Sequence, residues 1–221
     1  MFSKTLIALA TIGISASAHA AALIDEGFED VFGLQAKGWV LTNASTPGGA
    51  TPGWFQGTPA TMGTDFFDAQ AGAAKSYAAA NFENAGPGGT IRNYLITPQF
   101  STAESVSVSF WARGIAEPDY VDQFAFGFSN GSAAIEGFNL GPVVTARTDG
   151  WTQYLVSLGA QGAGTFGRFT IAYTGPQANA DFLGIDSLVV DIPEMVPEPS
   201  TWMLLSAGSL ALLSLRRRRH P

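Results

Sequence analysis

The 221-residue sequence predicts an all-β fold: a single antiparallel β-sandwich flanked by an N-terminal signal peptide and a C-terminal single hydrophobic helix. Three observations predict it. Apolar residues alternate with small polar ones at period two, as in "SVSVSFWARG" and "DQFAFGFSN". Gly, Pro, Asn and Asp interrupt these short runs again and again. Amphipathic runs of helical period are almost absent.

In chain order, residues 1–20 come first. "MFSKTLIALATIGISASAHA" has one cation, Lys4, then an apolar stretch over residues 5–14, then small residues ending Ala18-His19-Ala20. That layout predicts a secretory signal peptide removed by signal peptidase after Ala20, with Ala20-Ala21-Ala22 offering a slightly later cut at Ala21. Residues 21–195 are expected to form one domain, long enough for its own core. The glycine-rich stretches "TPGGATPG" and "NAGPGG" are expected to be loops, because Gly and Pro favour turns over ladders. The strands follow: Val106, Val108 and Phe110 share one face, as do Phe124, Phe126 and Phe128. "WTQYLVSL", "RFTIAYTG" and "DFLGIDSLVVDI" continue the pattern. Period two places Phe110, Phe126, Tyr154, Phe169, Ile171, Ile185 and Val189 in the core.

Residues 196–221 are a different kind of segment. Val196-Pro197-Glu198-Pro199-Ser200 precedes an uncharged apolar run over residues 202–215, and four arginines follow at 216–219. The run is 14 residues long, roughly 21 Å as a helix against a hydrocarbon core of roughly 30 Å. Apolar residues lie on every face of it, and the arginines supply both snorkelling stems and a cytoplasmic charge signal, so a membrane-inserted tail is expected. With the N-terminus exported and the arginines held inside, the domain between them lies outside the cytoplasm.

The order of these three elements resembles the PEP-CTERM sorting signal of Gram-negative bacteria. The resemblance implies processing near Pro197, Glu198 and Pro199 by exosortase, a membrane protease of bacteria that also make exopolysaccharide. It implies transient anchoring in the inner membrane and a final place on the outer surface or in the extracellular matrix. Pro197 and Pro199 keep the backbone extended, and so accessible to a protease, just before the helix. A second resemblance spans the domain: "IDEGFED", Gly38-Trp39, Gly53-Trp54, "NYLITPQF", "VSFWARG", "WTQYLVSL" and "FLGIDSLVV" occur in an order similar to the choice-of-anchor J family. Those are MAM-like jelly rolls of bacterial surface proteins, so a jelly-roll topology is the implied form of the sandwich.

Composition narrows the chemistry. Lys4 and the four terminal arginines belong to the signals, leaving six Lys and Arg against eighteen Asp and Glu, a net charge of about −12. Nucleic acid would be repelled. The chain has no cysteine, and both histidines, His19 and His220, fall in the terminal signals. Ser-His-Asp and Cys-His nucleophiles and the usual zinc sites are thereby excluded from the domain. Carboxylate chemistry, hard-cation binding and aromatic recognition survive.

Two candidate sites emerge. Glu29 in the acidic opening and Asp186 in "GIDSLVV" are candidate calcium ligands, because in a jelly roll the first and last strands often lie side by side; the alternative is that they are strand-end carboxylates facing water. Trp54, in the loop-like "TPGWFQGTP", forms a candidate recognition surface with Asp65 and Asp68. The other tryptophans read as packing anchors. Three functions fit: a non-catalytic envelope or matrix protein that binds exopolysaccharide, a carboxylate-dependent glycan-cleaving enzyme, and a protein-binding adhesin. No spacing among the acids singles out the carboxyl pair that a glycosidase needs.

Overall fold

The computed structural model describes residues 22–62 and 66–193. The signal-peptide positions Ala20 and Ala21, the segment Pro197, Glu198 and Pro199, the apolar run and Asp65 all lie outside the described residues. Residues 22–193 form one compact unit.

Its fourteen strands are β1 (Ile24–Glu26), β2 (Val40–Asn43), β3 (Thr46–Gly48), β4 (Phe55–Gln56), β5 (Ala78–Asn81), β6 (Ala85–Ile96) and β7 (Phe100–Ser101), followed by β8 (Val106–Gly114), β9 (Gln123–Ser129), β10 (Asn139–Leu140), β11 (Val144–Thr145), β12 (Thr152–Leu158), β13 (Phe166–Pro176) and β14 (Phe182–Asp191). All pairs are antiparallel. One sheet runs β12-β8-β14-β5-β4, with β1 also on β14. The second runs β10-β9-β13-β6-β2, with β3 on β6, β7 on β13 and β11 on β9. Among the described residues the only helices are single 3-10 turns. The expected all-β jelly-roll sandwich is the fold, and β8 shows the expected alternation along its whole length, odd positions outward and even positions buried.

The core lies between the sheets. Phe110, Phe124, Phe169, Ile171, Leu183 and Ile185 are fully buried there. Phe126 and Tyr154 pack against this cluster and stay partly exposed. Tyr154 lies on β12, the edge strand of its sheet. Rings supply much of the contact: Phe110 stacks on Tyr154 at 5.4 Å and meets Phe126 edge-on at 5.2 Å.

Two expectations are corrected. Val189 points outward, because Ser187 adopts φ 49° and the register of β14 against β8 shifts between Asp186 and Val189. This bulge adds one residue, so Leu188 and Val190 take the buried positions. The glycine-rich stretches are also more than loops: β3 pairs with the first half of β6, Thr46 opposite Thr90 and Gly48 opposite Ala85. Their glycines serve close approach between backbones. A Cβ at Gly49 would meet the Glu83 carbonyl at 1.9 Å.

Candidate functional site

The structure places Trp54 in the core, 5 % exposed, so neither face is open for stacking on a sugar. The glycines beside it do not loosen the segment. Asn84 donates through Nδ2 to the carbonyls of Thr51 and Gly53, both at 3.2 Å, and ties it inward. Asp68 stays at the surface, but its Oδ1 accepts from Ala60 N at 3.0 Å and its carbonyl from Trp151 Nε1 at 2.9 Å. Phe67, one residue earlier, is buried against Tyr77, Trp151 and Phe182. Of the expected recognition surface, Trp54 is therefore part of the main core, and Asp68 lies at the surface beside a packed aromatic cluster.

Glu29 and Asp186 face one loop from different sides. Asp186 is fully buried, and its Oδ2 accepts from Gln70 N at 2.7 Å and Ala71 N at 3.1 Å. Its Oδ1 accepts from Ser187 N at 2.6 Å and Ser187 Oγ at 3.3 Å. Burial raises the carboxyl above its ordinary range, and the three backbone N–H groups hold part of that rise back. Glu29 is exposed, with Oε1 4.0 Å from where a Cβ on Gly72 would stand. Glu26, three residues before Glu29, is buried: Oε1 accepts from Phe28 N at 3.0 Å and Oε2 pairs with Lys37 at 2.9 Å. Calcium needs six to eight oxygens. Here Asp186 is saturated with N–H and O–H donors, Glu26 is neutralised, and among the described residues no three acidic side chains gather. The donor set does not make a calcium cage.

Two clefts open instead at opposite ends of the sandwich. The first, about 390 Å3, lies where β8 ends and β14 begins, and is lined by Phe66, Phe82, Glu117, Tyr120 and Asp181 among others. Below it Asp122, 4 % exposed, accepts on Oδ1 from the Tyr173 hydroxyl and from Asp181 N. Burial and the facing Asp122 push the Tyr173 hydroxyl far above its ordinary range, so it stays a donor.

The second cleft, about 530 Å3, lies where β12 ends and β13 begins. Its rings are Phe128 and Phe166, and its polar groups come from Thr102, Asn130, Asn139, Gln161 and Thr165. No charged side chain lines it. The surrounding elements are held firmly. The Gly131 carbonyl accepts from Gln99 Nε2 at 2.8 Å and Arg168 Nε at 3.2 Å, fixing the turn that carries Asn130. Gly127 lets β10 close in, since a Cβ there would meet the Asn139 carbonyl at 2.0 Å. The Thr165 hydroxyl donates to Gly162 O, so the Thr102 hydroxyl, 2.8 Å away, donates to Thr165. Sequence reasoning missed this cleft. Its residues come from six separate segments, and Phe166 reads as one more strand residue.

Comparison with known proteins adds two findings. Residues 196–219 match the PEP-CTERM protein-sorting motif. The chain thus has the signal of an exported protein sorted by exosortase, C-terminal to its β-sandwich. The K3 cleaved adhesin domain of Lys-gingipain from Porphyromonas gingivalis is similar at 22 % identity and a TM-score of 0.57, over 77 % of this chain and 97 % of that one. The K1 cleaved adhesin domain of the same protein is similar at 18 % identity and a TM-score of 0.55, over 77 % and 98 %. At these identities the likeness is one of fold. No curated protein matches the sequence. Among the described residues no helix is long and apolar enough to cross a membrane, and the apolar run at 202–215 is not among them.

Proposed function

We propose that this chain is an envelope or extracellular-matrix protein of a Gram-negative bacterium, released through the membrane by signal peptidase and exosortase, that associates with exopolysaccharide without cleaving it. One observation carries the non-catalytic part: the three acids buried in the domain, among the described residues, are occupied. Asp122, Asp186 and Glu26 each accept hydrogen bonds that hold the fold, and no histidine or cysteine lies between the terminal segments to act as base or nucleophile. The sorting motif supports the location, and the adhesin-like fold suits binding. Calcium is left out of this proposal, because Glu29 and Asp186 each approach the loop at residues 70–72 without forming a cation cage among the described residues. Chelation is expected to leave the melting temperature unchanged, and a lowered one would restore calcium at these two carboxylates.

The test uses the protein recovered from culture medium. Its intact mass is expected to correspond to a chain that begins at Ala21 and ends near Pro197 to Ser200; a form retaining the arginines at 216–219 would refute processing. The same protein is incubated with the producing organism's exopolysaccharide while binding and release of reducing ends are followed. Binding without new reducing ends is expected. New reducing ends lost on substitution of one acid pair would establish a glycan-cleaving enzyme. Silence in both measurements would favour the protein-binding adhesin.

A further inference from the structure

We infer that the cleft at the Phe166 end binds an uncharged polysaccharide chain, a sugar ring lying on Phe166 and its hydroxyls meeting Asn130, Asn139 and Gln161. This rests on the binding function proposed above and gives it a ligand class and a place.

The lining carries the inference. Phe166 is 53 % exposed at the start of β13, a large apolar ring left facing water at the cleft wall. The apolar C–H face of a pyranose fits such a ring, whereas a charged group gains little from it. Around it the side-chain amides of Asn130 and Asn139 make no hydrogen bond among the described residues, and Gln161 uses only its Nε2, to Gly159 O at 2.7 Å. An amide offers a donor and an acceptor side by side, the pattern that neighbouring sugar hydroxyls require. Thr102 and Thr165, satisfied by each other and by Gly162, close one wall without competing for the ligand.

Charge selects the class. With about six cations against eighteen acids in the exported region, a polyanion is repelled as it approaches. A polycation would find its partners at the other end, where Glu117 and Asp181 line the smaller cleft. The Phe166 cleft, free of ionisable side chains, favours neither and leaves hydroxyl groups as the complementary chemistry. Its volume, about 530 Å3, is that of a site for a few sugar units.

The decisive experiment separates the organism's exopolysaccharide by anion exchange into neutral and acidic fractions and measures retention of the mature protein by affinity electrophoresis in each. Retention by the neutral fraction is expected, weakened at least about tenfold in Phe166→Ala and in Asn139→Ala. Phe166→Tyr, which keeps the ring, should bind nearly as wild type, and Glu117→Gln in the opposite cleft should change nothing. Both weakening substitutions are at exposed side chains, and circular dichroism of each variant checks that the fold is kept. If the wild type binds the neutral fraction and both variants match it, the cleft is wrong while the function stands. Retention only by the acidic fraction overturns the ligand class. Retention by neither overturns the binding function itself.

Discussion

Asp186 and Trp54 are the residues on which expectation and structure diverge most. Asp186 was conspicuous as a carboxylate in an apolar strand, but its partners, Gln70 N and Ala71 N, lie more than a hundred positions away, and no local pattern reveals them. In Asp186→Asn one of the two acceptor oxygens becomes an NH2 facing N–H donors. The loss is expected to be about 1–3 kcal/mol, measured as a lowered urea midpoint. The pH dependence has a definite sign. Burial raises the folded-state carboxyl above its unfolded value, so the folded state binds the extra proton. Stability linked to this group is full below the unfolded value, near 3.8, and declines as pH rises through the raised one. Asp186→Asn should remove that decline. Trp54 misled because Gly and Pro surround it, although its ring fills the core and its Nε1 has no partner. Trp54→Ala is expected to cost about 3–5 kcal/mol, and Trp54→Phe clearly less, since it also deletes an unsatisfied donor.

At the scale of the element, strands with one wet face were legible and irregular ones were not. β8 could be read residue by residue because "SVSVSFWARG" states its two faces. β14 reads as one strand too, but the Ser187 bulge exchanges its faces halfway, and a bulge leaves no mark in a run of apolar residues. The consequence is measurable. Leu188→Ala, at a buried position, should cost about 2–5 kcal/mol in denaturant unfolding, while Val189→Ala, on the outward face, should fall within about 0.5 kcal/mol of wild type. Equal losses would show that the bulge is absent in solution. The pairing of β3 with β6 was hidden in the same way. Glycine marks a turn and a close backbone approach alike, and only the partner strand distinguishes them.

For the whole molecule, fold class, the sorting signal and the lack of histidine and cysteine between the terminal segments were readable, because they depend on composition and on contiguous segments. The clefts were not, because each is assembled from loops brought together by the sheets. A chain of residues 22–193 is expected to melt cooperatively with a β-type circular dichroism spectrum, since that stretch forms a compact unit. A mainly helical spectrum would refute the fold. The pairing of β1 with β14 sets one further property. Ile24 lies opposite Val190, so the chain enters and leaves the domain side by side. Asp191 lies opposite Ser107, and the next residue of β8, Val106, lies opposite Leu158 of the Phe166 cleft. Two interstrand steps, about 10 Å, separate the exit from the cleft. Under flow, tension between a polymer held there and whatever grips the processed C-terminus would cross one end of the sandwich. The load would enter at the last residue of β14 and leave at the first of β13, so it would bear on the ends of these two strands, and β6, which holds neither end, would lie outside the direct path.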